Sequence, residues 1–218
     1  MGDVAKVKHM RALILGNSGS GKSQACLKLI RSLAQERVVV LTGPVALFRK
    51  NLPKKKVEQG SWDEELTKRR NVIFVADDLK LGGDKAEKNL LWTLLNHTCR
   101  QGNSHIFVIS HGVIGSGLLN YVRFCNFFVV PCMIPHETVM GEVLAKIGQE
   151  NEKDVMALFR ELCKTQGRFY LRMQLDDEKG TLSFAGLDKD LRTLSNLPTS
   201  KERGRGKKER REGKTFLV

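Results

Sequence analysis

Leu13-Ile14-Leu15-Gly16-Asn17-Ser18-Gly19-Ser20-Gly21-Lys22-Ser23 is the stretch from which the fold can be read. The apolar run Arg11 to Leu15 predicts a strand, and it ends in a loop holding three glycines. Beyond the loop, Lys22 to Gln35 places Ala25/Cys26, Leu29/Ile30 and Leu33/Ala34 four apart, the spacing of a helix with one buried stripe. Residues 16–23 match G-x-x-x-x-G-K-[ST] in full, in the strand-to-helix setting that the motif requires. Its glycines let the backbone curl so that successive N–H groups point inward at phosphate oxygens, and the helix N-terminus adds a favourable partial charge. Lys22 is expected to reach the β- and γ-phosphates of a nucleotide, and the Ser23 hydroxyl to coordinate Mg²⁺.

A second apolar run, Asn71 to Ala76, delivers Asp77-Asp78 at its end, the pattern of a Walker B strand. Asp77 is expected to hold Mg²⁺ through water, and Asp78 to orient and deprotonate the attacking water as a general base. The strand Ile106 to Ile109 ends at Ser110-His111. In NTPases with an extra strand between the two Walker strands, a polar residue at this point senses the γ-phosphate. Ser110 is the first candidate and His111 the second. Neither an Asn-Lys-x-Asp signature nor an Asp-x-x-Gly after the Walker B strand is present, which favours ATP over GTP. Arg123 and Arg100 are candidates for a finger reaching a neighbouring subunit's nucleotide. A C-terminal helix dipole also accounts for Arg100.

Around these motifs, β-rich runs alternate with helical stretches, which predicts an α/β fold with a mainly parallel sheet flanked by helices. Strands are expected at Arg37 to Thr42, Val72 to Ala76, His105 to Ser110 and Phe127 to Val130. Helices are expected at Lys85 to Arg100, around Gly117 to Val122, and at Asn151 to Thr165. Arg168 to Gln174 and Thr181 to Phe184 flank Asp177-Glu178-Lys179-Gly180 as a C-terminal β-hairpin. Val45 to Glu65 reads as polar, basic and irregular, with Arg49, Lys50, Lys54, Lys55 and Lys56 clustered in it. Pro53-Lys54-Lys55-Lys56-Val57 resembles a basic import signal and equally a loop facing a DNA backbone, with Trp62 packing it down.

The chain has 218 residues and a net charge of +13, an excess that points to a polyanionic partner such as nucleic acid. From Ser200 to Lys214, eight basic residues stand against three acidic ones, a net of +5, with no apolar residue. Such a segment cannot bury enough surface to fold alone. We therefore divide the chain into a P-loop domain at 1–187 and a basic, disordered tail at 188–218. The five cysteines lie far apart without a Cys-x-x-Cys pair, which argues for reduced core thiols in an intracellular protein rather than a zinc site. No apolar run approaches the roughly 20 residues that span a bilayer, so no membrane role is expected.

Taken together these elements resemble a known family. The loop at 16–23, Phe74-Val75-Ala76-Asp77-Asp78-Leu79, Cys99-Arg100-Gln101-Gly102-Asn103, Ile106 to His111, and Asn120-Tyr121-Val122-Arg123-Phe124-Cys125-Asn126 follow the order seen in genome-packaging ATPases of double-stranded DNA viruses. The likeness is to the poxvirus and adenovirus type within the FtsK/HerA-like P-loop NTPases, and it spans roughly residues 10 to 186. Gln24, directly after the loop, resembles the adenovirus type and joins the nucleotide-binding residues on that ground. Ser110 stands where many relatives carry glutamine.

The resemblance implies an ASCE/RecA-like P-loop NTPase that hydrolyses ATP with Mg²⁺. It implies a homo-oligomeric ring that pushes double-stranded DNA into a capsid, docked on a capsid or portal protein, in the host nucleus or the virion. A grip on DNA that must be repeatedly released is expected to be ionic and sequence-independent. Two other readings fit the motifs. One is a nucleotide-binding DNA-binding protein with little hydrolysis, and the other is a small-molecule P-loop kinase.

Overall fold

In the computed structural model, which describes residues 9–16, 18–79, 85–111, 118–132, 152–165, 169–176, 181–188, 190 and 192–197, the apolar runs become neighbouring strands of one sheet. Six strands run parallel: β1 (Arg11–Leu15), β2 (Arg37–Thr42), β3 (Lys56–Gln59), β4 (Val72–Asp77), β5 (His105–Ser110) and β6 (Phe127–Cys132). Three more, β7 (Phe169–Asp176), β8 (Thr181–Leu187) and β9 (Thr193–Leu197), continue the sheet antiparallel from β6. The spatial order is β3-β2-β4-β5-β1-β6-β7-β8-β9. β5 therefore lies between the P-loop strand and the Walker B strand, as the motif order predicts.

The central strands β1, β4 and β5 are buried at every position because both faces are covered. Their side chains divide with period two. Leu13, Leu15, Phe74, Ala76, Ile106 and Val108 enter one core, whereas Ala12, Ile14, Ile73, Val75, Phe107 and Ile109 enter the other. The second core is closed by α1 (Lys22–Arg31) and by Phe48 of α2 (Val45–Asn51). The first is closed by Leu66 of α3 (Glu65–Lys68), by α4 (Lys85–Thr93) and by α6 (Glu152–Thr165). Between α4 and the last turn, α5 (Cys99–Gln101), the helix expected over 85–100 passes through a π-helical segment at Leu94–Thr98. A 3₁₀ segment, Leu118–Phe124, leads into β6. α1 has only 10 residues, too short to be stable alone in water. Burying Leu29 and Ile30 contributes about 1.5–3 kcal/mol each and holds it on the sheet.

Several boundaries differ from the sequence reading. The stretch at 45–65 is not irregular, since it holds α2, the edge strand β3 and α3. α1 stops at Arg31 rather than Gln35: the Ser32 hydroxyl donates to the Leu29 carbonyl at 2.7 Å. The carbonyls of Leu33 and Gln35 then accept from Lys55 Nζ at 2.9 and 2.8 Å. Lys55 thus serves the end of a helix, and Lys56 pairs in β3. The boundary at 188 falls inside the sheet, because β9 lies beyond it and pairs with β8. The hairpin turn at 177–180 and the charged segment at 200–214 lie outside the described residues. Cys26, Cys99 and Cys125 are free and buried. Burial pushes these thiols up, Cys125 to about 12, so they remain protonated. Among the described residues no helix is long and apolar enough to cross a membrane.

At the start of β5, His105 is buried and its Nδ1 accepts the Met10 N–H at 3.0 Å. Burial, with the nearby His9 and Lys55, pushes this imidazole down to about 4. The folded state then binds fewer protons than the unfolded one between about pH 6.5 and 4. Stability from this group is complete above 6.5 and is lost as pH falls through that window. The loss should total about 3 kcal/mol. Urea unfolding at pH 7 and pH 4.5 is expected to show a smaller pH dependence in His105→Asn, whose side-chain oxygen can still accept from Met10.

Candidate active site

Strand β1 ends at Leu15, level with Ser110 of β5, and the Gly16 N–H donates to the Ser110 carbonyl at 3.3 Å. From there the chain curls back. Gly19 has φ +74° and Gly21 φ +95°, backbone that only glycine adopts without strain. A Cβ on Gly21 would meet the Tyr170 hydroxyl of β7 at 3.3 Å, so the antiparallel strands back the loop directly. Gly21 caps α1 with no side-chain hydrogen bond, and the first turn carries no acid. The Ser20 hydroxyl is buried without a hydrogen-bond partner. A helix N-terminus with uncapped donors beside an orphaned hydroxyl suits an anion. Asn17 lies outside the described residues, Ser18 and Gly19 are exposed at the loop tip, and Gln24 is exposed on α1.

Lys22 and Ser23 enter this cradle from the first turn of α1, and Asp77 and Asp78 meet them from the end of β4. The Ser23 hydroxyl donates to Asp77 Oδ2 at 3.1 Å. Lys22 is buried, which pushes its ammonium below the ordinary lysine value against the pull of Asp77 and Asp78. Burial likewise pushes Asp77 up, while the Ser23 hydroxyl and Lys22 draw it back down. His111 stands between the two sides, with Nδ1 3.5 Å from Lys22 Nζ and Nε2 3.4 Å from Asp78 Oδ1. Ser110 is buried at the end of β5 beside Gly16. The second sensor candidate, His111, is therefore the one seen bridging the lysine and the general-base candidate.

Two features were not visible in the sequence. The Thr42 hydroxyl, at the end of β2, donates to the Asp77 carbonyl at 2.9 Å. Gly43 lies so close to Asp77 that a Cβ would sit 2.6 Å from the Asp77 Cβ. The only signal was the Thr-Gly-Pro ending of the second strand. The arginines stand apart from this cradle. Arg100 is exposed in α5, next to Gly102, whose carbonyl accepts the Asn71 N–H before β4 begins. This is the opposite end of the sheet from Asp77. Arg123 belongs to the 3₁₀ segment that precedes β6, also toward that end, and its side chain lies outside the described residues.

No family model matches this chain, and no curated protein matches its sequence. Solved structures do. The genome packaging NTPase B204 from Sulfolobus turreted icosahedral virus 2, in complex with AMP, aligns with a TM-score of 0.55 over 82% of this chain and 98% of that one, at 9% identity. The same protein in complex with sulfate gives 0.52 over 80% and 94%, at 10% identity. Its complex with AMPPCP gives 0.51 over 81% and 96%, at 9% identity. The chain has the P-loop NTPase fold. At such identity the likeness is one of fold, and the chemistry has to be argued from the side chains above.

The donor set fits a magnesium–nucleotide. Among the described residues, no group of three or more His, Cys, Asp or Glu side chains is placed to hold a metal alone. Ser23 would supply a hydroxyl ligand directly and Asp77, which accepts the Ser23 hydroxyl, would hold the ion through water, with phosphate oxygens among the remaining ligands. Lys22→Ala should remove about 2–5 kcal/mol of Mg·ATP binding, on the order of 30-fold or more in affinity, measured by titration calorimetry.

Proposed function

We propose that this protein is an ATP-hydrolysing motor that moves double-stranded viral DNA into a capsid, working as a homo-oligomeric ring. The observation that carries the reading is the Ser23–Asp77 hydrogen bond, set beside the Lys22–His111–Asp78 contacts. It joins a phosphate cradle to a metal ligand and a general-base candidate at one end of one sheet. Bound Mg·ATP would supply the transferable phosphoryl group. Lys22 and the loop amides hold the phosphates, Ser23 and Asp77 hold the metal, and Asp78 orients a water and takes its proton. His111 keeps Asp78 turned toward the cradle and stands where a γ-phosphate would be felt.

Support for a packaging role comes from three directions: the motif order, the fold shared with B204, and the charge of +13. A basic chain repeated around a ring would line a channel with weak ionic contacts, each easily broken yet collectively tight. Arg123 is proposed to complete a neighbour's site in trans, with Arg100 as the other candidate. A capsid or portal protein is the proposed docking partner, and the host nucleus or virion the proposed setting.

Double-stranded DNA is expected to stimulate ATP hydrolysis regardless of its sequence. Raising salt from 50 to 200 mM should raise the DNA concentration needed for half-maximal stimulation by about 10³-fold or more if six or more phosphates are contacted. ATPase activity indifferent to DNA would sink the motor reading and leave a different P-loop enzyme. Asp78→Asn should keep Mg·ATP affinity and lose turnover by about 10²–10⁴-fold, the usual contribution of a general base, in a steady-state phosphate-release assay.

A further inference from the structure

We propose that Thr42 is a positioning residue that holds Asp78 in a left-handed backbone conformation, and that turnover depends on this conformation. The inference rests on the NTPase reading above and assigns a residue that no sequence motif marks.

Asp78 has φ +57°, one of four non-glycine residues with positive φ among those described. Aspartate tolerates this region better than most residues but still prefers the right-handed one. Such a conformation persists where the surroundings dictate it, and it concentrates at functional sites. Here the surroundings are two hydrogen bonds, one on each side of Asp78. The Thr42 hydroxyl fixes the Asp77 carbonyl, part of the peptide group that leads into Asp78, at 2.9 Å. The Leu79 N–H, part of the peptide group that leaves it, donates to the Ile109 carbonyl of β5 at 3.2 Å. Asp78 is thus a single residue suspended between two pinned peptide planes.

The end of β2 is built to make the first of those bonds. Val40 pairs with Val75 and Thr42 with Ala76, so Leu41 is an extra residue and the ladder shifts there. A bulge of this kind re-aims the side chain that follows it. Gly43, with φ +99°, then lets the chain pass within contact of Asp77, where a Cβ would lie 2.6 Å from the Asp77 Cβ and 3.3 Å from its carbonyl oxygen. Leaving the left-handed region would swing the Asp78 Cβ to a new direction. The carboxylate would then lose its place 3.4 Å from His111 Nε2. Thr42 acts through Asp78, since its hydroxyl is committed to a main-chain oxygen.

The test uses the full chain and steady-state ATP hydrolysis. Thr42→Val keeps the branched shape and loses the donor, whereas Thr42→Ser keeps the donor. Thr42→Val should lower kcat by about tenfold or more with KM for ATP held within about twofold, and Thr42→Ser should restore most of the loss, as expected for a sub-ångström misplacement of a reacting group. On an Asp78→Asn background the same Thr42→Val change should lower turnover no further. Should Thr42→Val fail to fold, Thr42→Ala against Thr42→Ser makes the same comparison. The proposal is overturned if kcat falls by less than about threefold, well short of the loss that misplacement causes. It is also overturned if the serine variant is as impaired as the valine one, or if melting temperature and KM move in step with kcat. A wild-type chain without turnover would instead remove the NTPase reading itself.

Discussion

The hydrogen bond from Ser23 to Asp77 closes a gap that the topology creates. β1 and β4 are not neighbours, because β5 lies between them. With strands about 4.8 Å apart, the two Walker elements stand roughly 10 Å apart across the sheet. Ser23 and Asp77 must lean over the end of β5 to meet. Whatever residues end that strand are therefore placed beneath any phosphate held between the two sides. Ser110 and His111 owe their position to this geometry, which sets the carbonyl of one against the Gly16 N–H and brings the half-exposed ring of the other between Lys22 and Asp78.

Charge in this gap is not at rest. Lys22 is buried enough to disfavour its ammonium, and Asp77 enough to disfavour its carboxylate, although each eases the other's burden. A polyanion chelating a divalent cation satisfies both at once, which neither charge alone would do. The same logic extends to the backbone. The glycines at 19 and 21, the uncapped helix start and the left-handed Asp78 are local costs that a scaffold of two buried cores sustains.

The centre of the fold was legible in the sequence and its margins were not. β1, β4 and β5 are covered on both faces, so their middles had to be apolar runs with polar residues only at their ends, and such runs are easily read. β3 escaped notice because it is an edge strand in which only Val57 is buried among charged and polar neighbours. Lys55 read as part of a charged loop, yet its ammonium serves two carbonyls beyond the end of α1, a use that spacing cannot announce. β9 was hidden because a count of charges carries no information about backbone pairing. At the site, the loop, Lys22, Ser23 and the two aspartates follow from a local motif. Thr42, Gly43 and Tyr170 reach the site only through strand register, which a single sequence does not encode in any readable pattern.

The place of β1 in the sheet bears on how the chain is made. Its two partners, β5 and β6, end at Ser110 and Cys132, and the tyrosine behind Gly21 comes at position 170. A chain emerging from the ribosome holds the complete loop motif long before anything braces it. The cradle is assembled from the middle outward by late arrivals, so contacts distant in sequence set its folding time. On the proposed reading, nucleotide would select and protect only nearly finished molecules, and a stalled or shortened product would carry the motif without the grip.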